Sequence, residues 1–77
     1  MPKLPVVSGR ETARALKRAG FVVVRQKGSH VMLWHEERNR AVTVPVHGNK
    51  ELAPGTLAGV LDEAGLTVEE FIRLLGR

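Results

Sequence analysis

Arg25-Gln26-Lys27-Gly28-Ser29-His30 gathers the side chains best suited to chemistry on an anionic substrate. It lies between two apolar runs, Phe21 to Val24 and Val31 to Trp34, whose length and β-branched content predict strands. The hexapeptide is then a hairpin tip. Gly28-Ser29 suits a two-residue type II′ loop, because glycine accepts the positive φ of the first loop position. In that register Lys27 faces His30 and Arg25 faces Met32, all on one face of the ribbon. An imidazole among cations at a sheet end attracts phosphates, and histidine is the side chain best able to move a proton near neutral pH.

Other chemistries fit the residues less well. The three histidines include no pair at the i, i+4 spacing of a helical zinc motif, and no cysteine supplements them, so no metal site is expected. Ser29 lacks the flanking pattern of a nucleophile elbow, and Gly28 alone does not make a phosphate loop. His35 falls on the apolar side of its strand, beside a turn, and reads as structural. Thr56 to Leu75 has a helix-turn-helix outline, but Glu69 and Glu70 would stand where a recognition helix meets DNA. Phe21, Trp34 and Phe71 are too few for a base-stacking sheet surface, so contacts to phosphate and ribose fit better.

The elements that must position the hexapeptide are legible on both sides of it. Pro2 and Pro5 hold the first residues extended, and Ser8-Gly9-Arg10-Glu11 is a capping box that starts a helix. Thr12, Ala13, Ala15, Leu16 and Ala19 share a broad half of that helix, and Gly20 ends it. Arg10, Arg14, Lys17 and Arg18 form a stripe of roughly 100° on the other side, a pattern suited to tracking phosphates. After the hairpin, Glu36 to Asn39 make a turn and a third strand runs from about Arg40 to Val46. If those four residues are the loop, His35 pairs with Arg40 and the sheet acquires two faces. One holds Val22, Val24, Val31, Leu33, Val42, Val44 and Val46, an apolar layer for the helices to cover. The other holds Phe21, Val23, Arg25, Lys27, His30, Met32, Trp34, Ala41, Thr43 and Pro45, with His47 just beyond, diagonal to His30 and on the same side.

Gly48-Asn49-Lys50 reads as a loop and Pro54 as a first helical residue. Leu57, Val60, Leu61 and Ala64 repeat at amphipathic spacing. Gly65 ends this helix with Leu66 closing on Leu61, and a second capping box, Thr67-Val68-Glu69-Glu70, opens a short last helix. Leu66 staples that helix against Phe71, and Leu74 and Leu75 bury it. The order is helix, three antiparallel strands, helix, short helix.

With 77 residues there is room for one domain, residues 1–77, with a thin core. No cysteine is present to cross-link it, which fits an intracellular protein. The N-terminal residues lack a long apolar stretch, and no run is long enough to span a membrane, so a soluble, unprocessed chain without membrane association is expected. Charge divides the sequence. Met1 to Lys50 carries 10 basic and 3 acidic residues, whereas Glu51 to Arg77 carries 2 basic and 5 acidic ones. The basic front calls for an anionic partner.

Four segments occur together in order: Gly28-Ser29-His30, Val44-Pro45-Val46-His47, Glu51-Leu52-Ala53-Pro54-Gly55-Thr56-Leu57, and Ala64-Gly65-Leu66-Thr67-Val68-Glu69-Glu70-Phe71. The set, over nearly the whole chain, resembles the HicA family of small toxins, also called YcfA-like. The resemblance implies an α+β fold like that of a double-stranded-RNA-binding domain, α-β-β-β-α, with helices on one face of a three-stranded antiparallel sheet and a short C-terminal helix. It also implies a cytoplasmic endoribonuclease acting on messenger RNA and neutralised by a HicB-type antitoxin. The family's essential histidine, in its Gly-Ser-His motif, carries over to His30, and its histidine after the proline carries over to His47. The expected mechanism is metal-independent and free of cofactors. His30 acts as base on a ribose 2′-hydroxyl, His47 is a candidate acid, and Arg25 and Lys27 stabilise charge. The RNA-binding set is Arg10, Arg14, Lys17, Arg18, Arg25, Lys27, Gly28 and Ser29. A non-catalytic double-stranded-RNA-binding module on the same basic surface is the alternative.

Overall fold

The computed structural model describes residues 3–76. Pro2 therefore lies outside the described residues. The first capping box forms as the sequence requires: Glu11 N–H donates to Ser8 Oγ at 3.1 Å and Ser8 N–H donates to Glu11 Oε1 at 3.0 Å. These bonds satisfy otherwise orphaned donors at the start of α1, Gly9–Arg18. Gly20, at φ 104°, follows the C-cap Ala19, and the Phe21 N–H reaches back to the Leu16 carbonyl at 3.0 Å. That closure aims Phe21 into the core, where it is 2% exposed.

Three strands follow in the spatial order β1-β2-β3: Val22–Lys27, His30–His35 and Arg40–Pro45. The four-residue turn at 36–39 is present, with Asn39 at φ 53°, and His35 pairs with Arg40. Val31, Leu33, Val42 and Val44 form the buried layer of β2 and β3. Helix α2, Pro54–Ala64, packs against β3 and buries Leu57, Val60, Leu61 and Ala64. Its C-terminus closes through Leu66 N–H to the Leu61 carbonyl at 3.0 Å. The second capping box then starts α3, Val68–Leu75, which packs on α1 and buries Phe71. Leu74 and Leu75 remain half-buried. The architecture is thus α-β-β-β-α-α, consistent with a double-stranded-RNA-binding-domain-like α+β fold. None of the described helices is long and apolar enough to cross a membrane.

Two expectations for the sheet need correction. Phe21 is not on the mixed face; it precedes β1 and is a core residue. The inner layer does not include Val22 or Val24, which are exposed together with every other residue of β1. The reason is a β-bulge. Val23 pairs with Leu33 but Arg25 pairs with Met32, so the register shifts across Val24. Val22, opposite Trp34, moves to the outer face, while Val23 and Gln26 take the inner one, opposite Leu33 and Val31. As the outermost strand beyond the helices' main contacts, β1 is left open to solvent.

Helix α1 reaches the sheet at the end of β3. Gly9 lies so close to it that a Cβ there would stand 2.0 Å from the Pro45 carbonyl oxygen. The preceding segment is pinned as well: Leu52 N–H donates to the Val7 carbonyl at 2.9 Å, Ser8 bridges Glu51, and Val7 is 1% exposed. At the opposite end of β3, Arg40 donates to the Glu63 carbonyl at 3.1 Å, satisfying a carbonyl of the last turn of α2.

Candidate nucleic-acid site

The β1-β2 loop is two residues long, and Gly28 takes φ 59°, the left-handed conformation that its first position demands. Lys27 stands opposite His30 and Arg25 opposite Met32, so the cations and the imidazole share the outer face, as the register requires. Across β2 the neighbours are Pro45 for His30 and Thr43 for Met32. Val46 N–H donates to the Ser29 carbonyl, which fixes the loop to the end of β3. Arg25, Lys27, Gly28, Ser29, His30, Met32 and Thr43 line one open depression of about 550 Å³. Met32 and Thr43 belong to the wall without having been singled out by their chemistry. Their place follows from strand alternation alone, since both fall on the face that carries His30.

The histidines separate by their partners. His35 is held at both nitrogens: Nε2 lies 3.1 Å from the Ala19 carbonyl, and Nδ1 accepts from Arg38 N–H at 3.1 Å. This pattern selects the neutral tautomer with its proton on Nε2. Its ring also meets Phe21 edge-on, with centroids 5.0 Å apart. His35 is therefore a structural link between β2 and the end of α1. His30 is exposed, and among the described residues no group hydrogen-bonds its imidazole, so both nitrogens are open to a ligand. His47 is exposed too, but it lines a different cavity, formed by Leu4, Pro45, Lys50 and Pro54 among others. Pro45, the residue opposite His30, is in the wall of that second cavity, but no residue lines both depressions.

The basic stripe of α1 is divided. Arg10, Arg14 and Lys17 are exposed and line a groove between the helix and β1. Arg18 turns away and donates to the Leu74 carbonyl at 2.7 Å, closing the end of α3. Three cations thus face the helix side of the β1 edge, and Arg25 and Lys27 face the other side. Such a distribution suits a polyanion that contacts both sides of one strand. Among the described residues no cluster of three or more His, Asp or Glu side chains is placed to hold a metal ion.

No curated protein matches the chain. A family model described as the HicA toxin of bacterial toxin-antitoxin matches residues 9–66 of the 77, a span that runs from the start of α1 past the end of α2 and includes His30 and His47. Membership in that family supports a ribonuclease toxin and, in general terms, an RNA substrate and a cognate antitoxin. With a capped basic helix, a glycine-serine-histidine hairpin and an α2 that begins at Pro54, the chain belongs to the HicA toxin family.

Proposed function

We propose that the chain is a metal-independent endoribonuclease that cleaves messenger RNA with His30 as general base. The observation that carries this reading is the contrast between the histidines: His35 is bonded at both nitrogens, whereas the His30 imidazole is exposed in a cationic depression. In the proposed step an unprotonated His30 nitrogen takes the proton of a ribose 2′-hydroxyl. The 2′-oxygen forms a bond to the adjacent phosphorus, the bond from phosphorus to the 5′-oxygen breaks, and the products are a 2′,3′-cyclic phosphate and a 5′-hydroxyl. Arg25 and Lys27 offset the charge that builds on the phosphoryl oxygens. His47, exposed two residues beyond β3 in a separate cavity, is the candidate acid that returns a proton to the leaving oxygen. The proposed partner is an acidic HicB-type antitoxin that covers the His30 face.

The test uses purified protein and a long RNA, with analysis of fragment ends. Cyclic phosphate ends are expected, together with resistance of a substrate carrying 2′-deoxyribose at the cleaved position. His30→Ala should lower the rate by ~10²–10⁴ while changing stability by no more than about 0.5 kcal/mol, because the residue is exposed. Equal cleavage by the two proteins would remove His30 from the reaction. Full binding of duplex RNA with no cleavage by wild type would leave a binding module.

A further inference from the structure

The bulge at Val24 creates a surface that the cleavage chemistry leaves unused. In a regular strand, residues three apart point to opposite faces. Here Val23 and Gln26 both face inward, because the shifted register adds one residue between them. Together they line the far wall of the groove against Arg10, Arg14 and Lys17, with Val31 and Val46 contributing further apolar surface. The groove has a volume of about 310 Å³. Its composition suits a nucleotide: aliphatic surface for the flat face of a base, three cations for the phosphates on either side, and the Gln26 amide for the base edge, whose Nε2 reaches the Gly28 carbonyl at 3.5 Å and so keeps its oxygen and its second N–H for a ligand.

We propose that this groove holds one unstacked nucleotide of single-stranded RNA, a recognition subsite on the opposite side of β1 from His30. The proposal rests on the ribonuclease reading, since it takes the same RNA to pass over the open edge of β1 from the His30 depression. That edge carries no further strand, so the RNA backbone can cross it unobstructed. Arg25 and Lys27 lie on the near side of the crossing, and Arg14 and Lys17 on the far side. Gln26 supplies base preference and the α1 cations supply affinity. A duplex does not fit this path, because its bases are already paired and its backbone cannot fold around a single strand edge.

Binding is measured on single-stranded RNA that is fully 2′-O-methylated and cannot be cut through its 2′-hydroxyls, so the readout is independent of activity. A pool randomised at each position gives base preference, and titrations at several salt concentrations give the salt slope. Arg14→Ala and Lys17→Ala should each lower the slope by about one without altering base preference. Gln26→Ala should leave the slope unchanged and reduce discrimination at one position of the pool by about fivefold or more. Arg18→Ala, whose side chain is engaged with α3, should change neither. Photo-crosslinking from 4-thiouridine should reach Val23 or Gln26. The subsite is wrong if Gln26→Ala leaves preference unchanged at every position, if crosslinks fall on the hairpin tip alone, or if a duplex of the same sequence binds as tightly with the same response to the variants. A protein that meets these expectations yet cuts no RNA would overturn the ribonuclease reading while leaving the subsite standing.

Discussion

Replacing Gly9 by alanine tests the contact that sets α1 on the sheet. The new Cβ would stand 2.0 Å from the Pro45 carbonyl oxygen, 3.0 Å from its carbon and 3.2 Å from the Val46 Cα. All three atoms are backbone, so no side chain can swing aside. Relief requires α1 and β3 to separate by about 1 Å, against a buried Val7, the Leu52 bond to its carbonyl and the Ser8 capping box. Overpacking of this kind costs roughly 1–3 kcal/mol, and a rigid backbone neighbour puts Gly9→Ala at the upper end. Removing a helical glycine returns up to about 1 kcal/mol, leaving a net loss near 2 kcal/mol. For a chain of this size each kcal/mol corresponds to about 4–8 °C in Tm, so a fall of roughly 8–16 °C is expected. Gly59→Ala is the matched control. It lies within α2, its Cβ would meet nothing within 4 Å, and the change should raise Tm by about 4–8 °C. Melts of the three proteins followed by far-UV circular dichroism decide the matter. A Gly9→Ala protein that melts at or above wild type would refute the close approach of α1 to β3.

His35→Ala should destabilise by about 1 kcal/mol or more, since it leaves the part-buried Ala19 carbonyl without its partner and removes the edge contact with Phe21, whereas the exposed Arg38 N–H turns to water; chemical denaturation should show this loss with no comparable change for His30→Ala. Glu70 is held below the usual carboxylate range of 4.5, first by the Thr67 backbone N–H and next by the Thr67 side chain, with Arg38 and Arg73 adding to the effect. A lowered folded-state value means that the contribution is complete above the unfolded value and is lost as pH falls through the folded one. The stability difference between wild type and Glu70→Gln should therefore be constant at neutral pH and shrink in acid, and an unchanged difference down to the lowest pH of a denaturation series would refute the assignment.

Much of the fold is written in local signals. Ser8 with Glu11 and Thr67 with Glu70 announce two helix starts three residues in advance, Pro54 marks a third, and the lengths of the two hairpin loops fix which residues of β1, β2 and β3 oppose one another near them. The arrangement of His30, Lys27 and Arg25 follows from that register. The bulge was not legible, and the reason is physical: Val22, Val23 and Val24 are identical, so alternation cannot say which of them faces the core. Val7 belongs to the core yet precedes α1 and lies in no helix or strand, so no local periodicity marks its side chain as buried. The departure of Arg18 from the basic stripe depends on where α3 ends, which helical spacing within α1 does not encode.

One end of the sheet is tied to the helices by side chains, and among the described residues the other is held by backbone hydrogen bonds alone. At the first, His35, Arg38 and Arg40 tie the β2-β3 turn to the exits of α1 and α2. At the second, Arg25, Lys27 and His30 project from a hairpin whose own hold on the body is carried by backbone groups, such as the bond from Val46 to Ser29. Substitutions at the tip therefore change what the protein touches with little effect on whether it folds. Proteins sit only slightly above the stability they need, so most new surfaces are lost to selection before they can be tried. A tip insulated in this way escapes that filter, and residues such as Lys27 and Gln26 can drift through many chemistries, leaving the substrate, and any inhibitor that must match this surface, to follow.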